Sequence, residues 1–285
     1  MNKTVYEDHS KNAIRISEFR NLQCETPFRG LGIKYVLCGE ETYFVKGKKF
    51  LVKEGEYLIG NDLSETQVKI ESQKNVRGIC IDLSSELIKE IAENHFSKGN
   101  DLSEFLLSER MLVNRYQAQR SVVSEIMMRI NEHFCSGAIK EGIQETDLLF
   151  SLAEVIISEQ WQVNHQMQRL PFKKTEAHQD VLRSLLRAKA HIDDNLSAEW
   201  SIETLSSLAG ISRFHFIRLF KRAFGTTPYQ YLKNKRLEDG RQLLAEGKSV
   251  SEVAFSLGYP DLAAFSKAFK QCHGFSPLNW QKSNF

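Results

Sequence analysis

Two short segments near the C-terminus carry the side chains best suited to chemistry on a polyanion. In the first, Ser212, Arg213, Phe214, His215, Ile217, Arg218, Lys221 and Arg222 are interleaved with the apolar residues Phe216, Leu219 and Phe220. In the second, Leu262, Ala263, Ser266, Lys267 and Lys270 are interleaved with Phe265, Ala268 and Phe269. Apolar residues recurring at three-to-four spacing predict a helix with one buried face and one outward face. A helix of that kind fits the major groove of B-DNA, where an arginine such as Arg218 can hold the O6 and N7 edge of guanine with two hydrogen bonds. The expected base contacts are Phe214, His215, Ile217 and Arg218 from the first segment, and Leu262, Ala263, Ser266 and Lys267 from the second. Ser212, Arg213, Lys221, Arg222 and Lys270 are expected on phosphates, which set register but carry no base code. Leu262 and Ala263 can meet thymine methyl groups, and this second face has few hydrogen-bonding groups. The second segment is therefore expected to be the less selective reader.

Each segment sits in a repeated pattern: a short apolar helix, a glycine turn, a second helix with phenylalanines four apart, a lysine, and a Gly-x-x-Pro stop. The first copy runs from Leu205 to Pro228 and the second from Val253 to Pro277. This is a helix-turn-helix pattern written twice, with expected reading helices near 212–224 and 261–272. Ser201 and Ser212 are the expected N-caps of the first copy, and Ser249 and Asp261 those of the second. Leu205, Leu208 and Ala209 are expected to face inward in the first copy, as are Val250, Val253, Ala254 and Leu257 in the second. Gly210 and Gly258 mark the turns. Between the copies, Pro228 opens a helix that ends near Gly247, a rod of roughly 25 Å at 1.5 Å per residue. With the width of the units added, two reading helices about 34 Å apart, one turn of B-DNA, become feasible. Gly240, inside that rod, is expected to cost up to about 1 kcal/mol relative to alanine.

From Asp180 to Trp280 the chain resembles the AraC/XylS family of bacterial transcription regulators. The residues that carry the resemblance are Val253-Ala254, Gly258-Tyr259, Phe265-Ser-Lys-Ala-Phe269-Lys270 and Gly274-Phe-Ser-Pro277, with Arg236-Leu237 and Leu243-Leu244 in the spacer. The resemblance implies a seven-helix domain that bends DNA and usually activates transcription, with RNA polymerase as a partner. Three positions depart from the family pattern: Gly240 stands where alanine is common, Pro260 takes a turn position that is normally polar, and Trp280-Gln281 replaces a Tyr-Arg close.

The front half has a different rhythm. From about Ile14 to Asp82 short β-rich runs alternate with glycine turns: Ile33–Cys38, Thr42–Val45, Phe50–Val52, Tyr57–Ile59, Gln67–Ile70 and Gly78–Leu83. Such spacing predicts a sandwich or small barrel, similar in outline to the family's cupin-like sensor domains, which often bind a small effector and carry helices for dimerisation. After Ser84 the period turns helical. A hairpin of helices is expected from about Arg115 to Gln162, with Val122, Val123, Ile126, Met127, Ile130 and Phe134 on one arm, Leu148, Leu149, Leu152, Val155 and Ile156 on the other, and a break bracketed by Gly137 and Gly142. Its apolar face packs on the strands or forms part of a homodimer seam. The expected architecture is thus α+β in two domains. Residues 1–165 form a cupin-like sensing and dimerisation barrel with a helical hairpin, 166–179 a linker, and 180–285 an all-α double helix-turn-helix domain whose helical signal resumes at Asp180.

Composition sharpens this reading. From Glu176 onward there are 15 Lys/Arg against 11 Asp/Glu, and before it 23 against 25, so the excess positive charge lies in the tail. The five cysteines are odd in number, far apart and without Cys-x-x-Cys or zinc spacing, which suggests small buried thiols in a reducing compartment. The polar N-terminus lacks a signal core and no run has the length of a membrane span, so the protein is expected in the cytoplasm. None of the histidines (His9, His95, His133, His165, His178, His191, His215 and His273) falls in the strands between Ile14 and Leu83, which argues against a cupin metal site. Glu54 and Glu56, flanking a turn glycine, read as solvated. No Gly-x-Ser-x-Gly, P-loop or Rossmann fingerprint is present, so neither a catalytic site nor a cofactor is expected. Two alternatives are an architectural DNA-bending protein with little sequence choice and a cupin-type enzyme fused to a DNA-binding tail.

Overall fold

Backbone amides in the apolar, β-branched runs of the front half pair into strands: β1 (Asn2–Glu7), β2 (Ala13–Glu25), β3 (Leu31–Cys38), β4 (Glu40–Val45), β5 (Lys48–Lys53), β6 (Glu56–Asn61), β7 (Thr66–Leu83) and β8 (Asn114–Gln117). The computed structural model describes residues 2–96, 99–118, 121–135, 145–172, 174–198 and 201–284; Gly137 and Gly142 lie outside them. The chain divides into two compact units, Met1–His165 and Gln166–Phe285.

In the first unit, the described strands form one antiparallel sheet in the order β1-β2-β7-β3-β6-β8, with the β4–β5 hairpin branching from β7. β2 follows most of β7, while β4 takes its first residues, Thr66–Lys69, and β3 its last, Arg77–Leu83. This fork rolls the sheet, so that Phe50 and Val52 of β5 share a core with Val36, Leu58, Val68 and Ile70. Three expectations are corrected. The runs at 67–70 and 78–83 belong to one strand of 18 residues, with a register shift against β2 between Phe19 and Asn21. Arg115 does not begin a helix but pairs with Leu58 in β8, a strand of four residues too short and polar to show alternation. Glu56 is buried: it accepts from the Lys53 amide at 2.8 Å and meets Arg115 at 3.3 Å, so the turn folds it back onto its own hairpin.

Four described helices begin in this unit: α1 (Ser85–His95), α2 (Gly99–Leu106), α3 (Val122–Cys135) and α4 (Glu145–Gln168). Ser84 caps α1 by accepting the Leu87 amide at 3.2 Å. The hydroxyl of Tyr57 on β6 donates to Glu159 on α4 at 2.6 Å, and burial pushes that carboxyl's pKa up. Val123, Ile126, Met127 and Ile130 of α3 are buried as expected, but Val122 stands outside, as do Met128, Phe150 and Trp161. The thiols also differ from expectation. Cys24, Cys38 and Cys272 are exposed and Cys80 is half-buried; the Cys135 side chain lies outside the described residues.

The described part of the second unit is all helix: α5 (Thr175–Asp194), α6 (Ile202–Ala209), α7 (Arg213–Phe224), α8 (Pro228–Ala245), α9 (Val250–Ser256), α10 (Leu262–His273) and α11 (Pro277–Asn284). α4 runs to Gln168 and α5 begins at Thr175, so most of the segment expected as a linker is helical, its polar residues forming outward faces. Leu182, Leu185, Ala188 and Ile192 are the buried stripe of α5. Helices α7 and α10 each bury an aromatic pair: Phe216 and Phe220 at 5.6 Å between centroids, Phe265 and Phe269 at 5.6 Å. Gly240 proves to be a packing position. A Cβ there would stand 3.1 Å from both Leu257 and the Phe265 ring, so the missing side chain lets α8 approach the second helix pair.

Because these rings are wholly buried, Phe220→Ala and Phe269→Ala are each expected to destabilise the second unit by about 3–5 kcal/mol. Thermal and urea unfolding measure this, and an unchanged midpoint in both variants contradicts the buried stripe.

Candidate nucleic-acid interface

The two helix pairs are built by the same local chemistry. Ser201 accepts the Thr204 amide at 3.0 Å to start α6, and Gly210 ends it in the left-handed region at φ 68°. Ser212 occupies the N-cap of α7 through its carbonyl alone, which accepts from the Phe216 amide at 2.8 Å; its hydroxyl makes no capping bond. Ser249 and Glu252 form a reciprocal capping box at α9, and Asp261 caps α10 through the Ala264 amide. Gly225 and Gly274 end α7 and α10 with φ of 77° and 84°. Thr227 and Gln230 close a capping box on α8, with Pro228 at its first turn.

Burial of Phe216, Leu219, Phe220 and Ala223 fixes what α7 presents outward: Phe214, Ile217, Arg218 and Lys221 fall at i, i+3, i+4 and i+7. On α10 the equivalent residues are Ala263, Ser266, Lys267 and Lys270. All the expected contact residues are exposed or half-buried, and Phe214, at 78% exposure, is the most exposed large apolar side chain of the pair. Leu208, expected to face inward, is half-buried, and Ser206 takes the buried position instead. Among the described residues, Arg218, Lys221, Arg222 and Lys270 have no acidic partner. Arg213 differs: it donates to Glu203 of α6 at 2.6 Å and lies over the Phe214 ring at 5.1 Å, so its first role is to brace the turn.

What the sequence did not reveal is how the two pairs are joined. Arg236, on α8, donates to the carbonyls of Leu196 at 2.6 Å and Ala198 at 2.9 Å, and reaches the Gly258 carbonyl at 3.5 Å. Gly258 is the turn glycine of the second pair, at φ 72°, and a Cβ on it would lie 2.5 Å from the Ser197 carbonyl oxygen. The segment leading into the first pair and the turn of the second are therefore in direct contact across one guanidinium. Tyr231 of α8 donates to Asp193 of α5 at 2.7 Å, and Lys189 holds the same carboxylate at 3.1 Å. The departures Trp280 and Gln281 are both engaged. Trp280 stacks on Phe275 at 5.3 Å with Arg241 over its ring, and Gln281 donates to the Lys248 carbonyl at 2.6 Å.

The interior of the first unit holds a second group of polar side chains. Lys34, Glu41 and Tyr43 are buried in the rolled sheet: Tyr43 donates to Glu41, and Lys34 reaches Thr26 at 3.3 Å. Arg15 pairs with the buried Asp82 nearby on the adjoining strands. Burial raises the Glu41 carboxyl above the usual range, against the lowering effects of Tyr43 and Lys34, and it raises the Cys80 thiol as well. Among the described residues no group of three or more His, Cys, Asp or Glu could hold a metal ion, and no helix is long and apolar enough to cross a membrane.

Residues 205–283 match the helix-turn-helix domain family. Probable transcriptional regulator LumQ of Photobacterium leiognathi is 39% identical over 92 residues, 32% of this chain and 37% of that protein. The raffinose operon transcriptional regulatory protein RafR of Pediococcus pentosaceus is 37% identical over 97 residues, 34% and 35% of the two chains. The XylDLEGF operon transcriptional activator of Pseudomonas putida is 33% identical over 98 residues, 33% and 30% of the two. The chain spans about a third of the length of these curated relatives. Among solved structures, the DNA-binding domain of AdpA in complex with a target DNA is 30% identical, with a TM-score of 0.34, over 35% of this chain and 91% of that one. ToxT from Vibrio cholerae O395 is 10% identical, with a TM-score of 0.39, over 94% and 96%. The helical unit carries a helix-turn-helix domain, and relatives named as regulators of transcription match over that part of the chain. The relatives named here are regulators of transcription, and none carries the name of an enzyme.

Replacing Arg236 by Met removes its charge-assisted hydrogen bonds to the Leu196 and Ala198 carbonyls and is expected to cost about 1–3 kcal/mol. Gly258→Ala forces a left-handed alanine, about 1–2 kcal/mol before its contact with Ser197 is counted. Urea unfolding measures both, and wild-type midpoints in both argue against the junction. In the first unit, the raised Glu41 carboxyl means that the folded state holds a proton the unfolded chain has lost. Stability therefore falls as pH rises from the ordinary carboxylate range through the raised value. Glu41→Gln, which keeps an acceptor for Tyr43, is expected to reduce that fall, as read from thermal midpoints at about pH 5 and pH 7.5.

Proposed function

We propose that this chain is a sequence-specific DNA-binding transcription regulator and an activator. The observation that carries the reading is the doubled pair: two helices, α7 and α10, each with a buried Phe-Phe stripe and an outward stripe whose cations have no acidic partner among the described residues, held in one unit by α8. At about 27 Å for its 18 residues, α8 is long enough to set two reading helices at neighbouring major grooves of one duplex. Phe214, His215, Ile217 and Arg218 of α7 and Leu262, Ala263, Ser266 and Lys267 of α10 read base edges. Ser212, Arg213, Lys221, Arg222 and Lys270 hold phosphates, with Arg213 exchanging Glu203 for the backbone. Regulator and activator names among the relatives support the sign of regulation. RNA polymerase is the protein partner that activation requires, and the cytoplasm is where a bacterial regulator meets its DNA. The first unit senses a small effector and supplies the homodimer contact, for which the outward Val122, Met128, Phe150 and Trp161 are the apolar candidates. It performs no catalysis.

Selection from a random duplex library with the purified chain tests the reading. A consensus with two boxes about one helical turn apart is expected; retention of all duplexes alike would return the protein to the architectural class. On the selected duplex, Arg218→Ala is expected to cost about 1–3 kcal/mol and relax base choice under one box, whereas Lys221→Ala weakens every sequence alike. Anisotropy titrations on matched and single-base-changed duplexes separate these outcomes, and equal losses on all duplexes for both variants contradict the roles. A thermal-shift screen of small metabolites on the full chain tests for the effector, since a bound ligand raises the midpoint by mass action.

A further inference from the structure

Between α8 and α10 lies a cleft of about 430 Å³ that none of the expected contacts explains, although one of them, Lys267, lines it. Its walls come from Tyr229, Lys233 and Arg236 on α8 and from Ala264, Lys267 and Gln271 on α10. The Arg236 guanidinium is committed to main-chain carbonyls. Lys233 and Lys267 are not: among the described residues neither has an acidic partner. Tyr229 is largely exposed, although its neighbour Tyr231 is tied to Asp193. The cleft is thus a concave surface with an unneutralised cation from each helix at its edge and no carboxylate among its lining residues.

Its place in the domain says what should fill it. Lys267 belongs to the outward stripe of α10, so the cleft borders the face that enters the groove. A duplex that accepts α10 in one major groove and α7 in the next must carry its backbone past the α8 side of α10. Resting on the reading proposed above, we propose that this cleft seats a backbone phosphate from the DNA segment between the two boxes, with Lys233 as its ion-pair partner and the Tyr229 hydroxyl and Gln271 amide as further donors. Such a contact carries no base code. It acts on spacing, because a phosphate held midway admits only duplexes whose two boxes lie on the same face.

The test uses the full chain with two probes: the duplex retained most tightly in the selection, and a scrambled duplex of equal length. For Lys233→Ala, affinity is expected to fall roughly 3- to 10-fold on both probes, and the slope of log K against log salt to shrink by about one unit. Lys233→Arg should retain most of the binding. Single methylphosphonates walked along the inter-box segment should include a position that weakens the wild type but leaves Lys233→Ala unchanged. Lys233 is half-buried, alanine is a good helix former there, and an unchanged thermal midpoint verifies that the fold is kept. Wild-type affinity and slope in Lys233→Ala, with wild-type chain still binding duplex, would overturn the phosphate seat and leave the functional reading intact. If the wild-type chain binds neither probe at low salt, the functional reading falls and takes the seat with it.

Discussion

The helical unit, and the function proposed for it, depend on the fixed setting of α7 relative to α10. Here that constraint is concentrated at Arg236. Its donors satisfy the carbonyls that lead into the first helix pair and reach the turn of the second, where Gly258 lies against Ser197 with no room for a side chain. A guanidinium suits this place because its planar fork holds several acceptors at once, which an ammonium does less specifically. Loss of this junction leaves each pair with its own aromatic core but loosens their relation to one another.

Around this junction the domain repeats one solution twice with measured differences. Both pairs use a polar N-cap, a left-handed glycine and a buried Phe-Phe stripe. The turn of the second pair is one residue longer, with Tyr259 and Pro260 between Gly258 and the cap Asp261, where the first has only Ile211 between Gly210 and Ser212. The outward stripes differ more: α7 shows Phe214, Ile217 and Arg218, and α10 shows Ala263, Ser266 and Lys267. A large aromatic and an arginine give the first face both apolar area and a directional donor, while the second offers small groups and a point charge. On the function proposed above, one unit would combine a specific head with a more permissive one.

The first unit solves a different problem. Its sheet is forked at β7 and closed over a mixed interior, in which Phe28, Val36 and Leu58 adjoin buried Lys34, Glu41 and Tyr43. Buried ionisable groups are tolerated only when paired or hydrogen-bonded. Here Tyr43 serves Glu41, Thr26 serves Lys34, and Arg15 serves Asp82. Such an interior is sensitive to protonation and to any polar molecule that competes for the same partners.

The sequence by itself determined the local grammar: the caps at Ser201, Ser249 and Asp261, the turn at Gly210, the buried Phe216/Phe220 and Phe265/Phe269 stripes, and with them the outward faces of α7 and α10. These are consequences of short-range backbone chemistry and helical period, which one strand of text records fully. Only the tertiary structure decided matters that need two distant segments. It joined two expected strands into β7, put Arg115 into a strand by pairing it with β6, and buried Glu56. It also turned Gly240 from an apparent weakness into a close approach against Leu257 and Phe265, and gave Arg236 its carbonyls. None of these could be read along the chain, because each depends on which surface arrives opposite a residue rather than on the residues beside it.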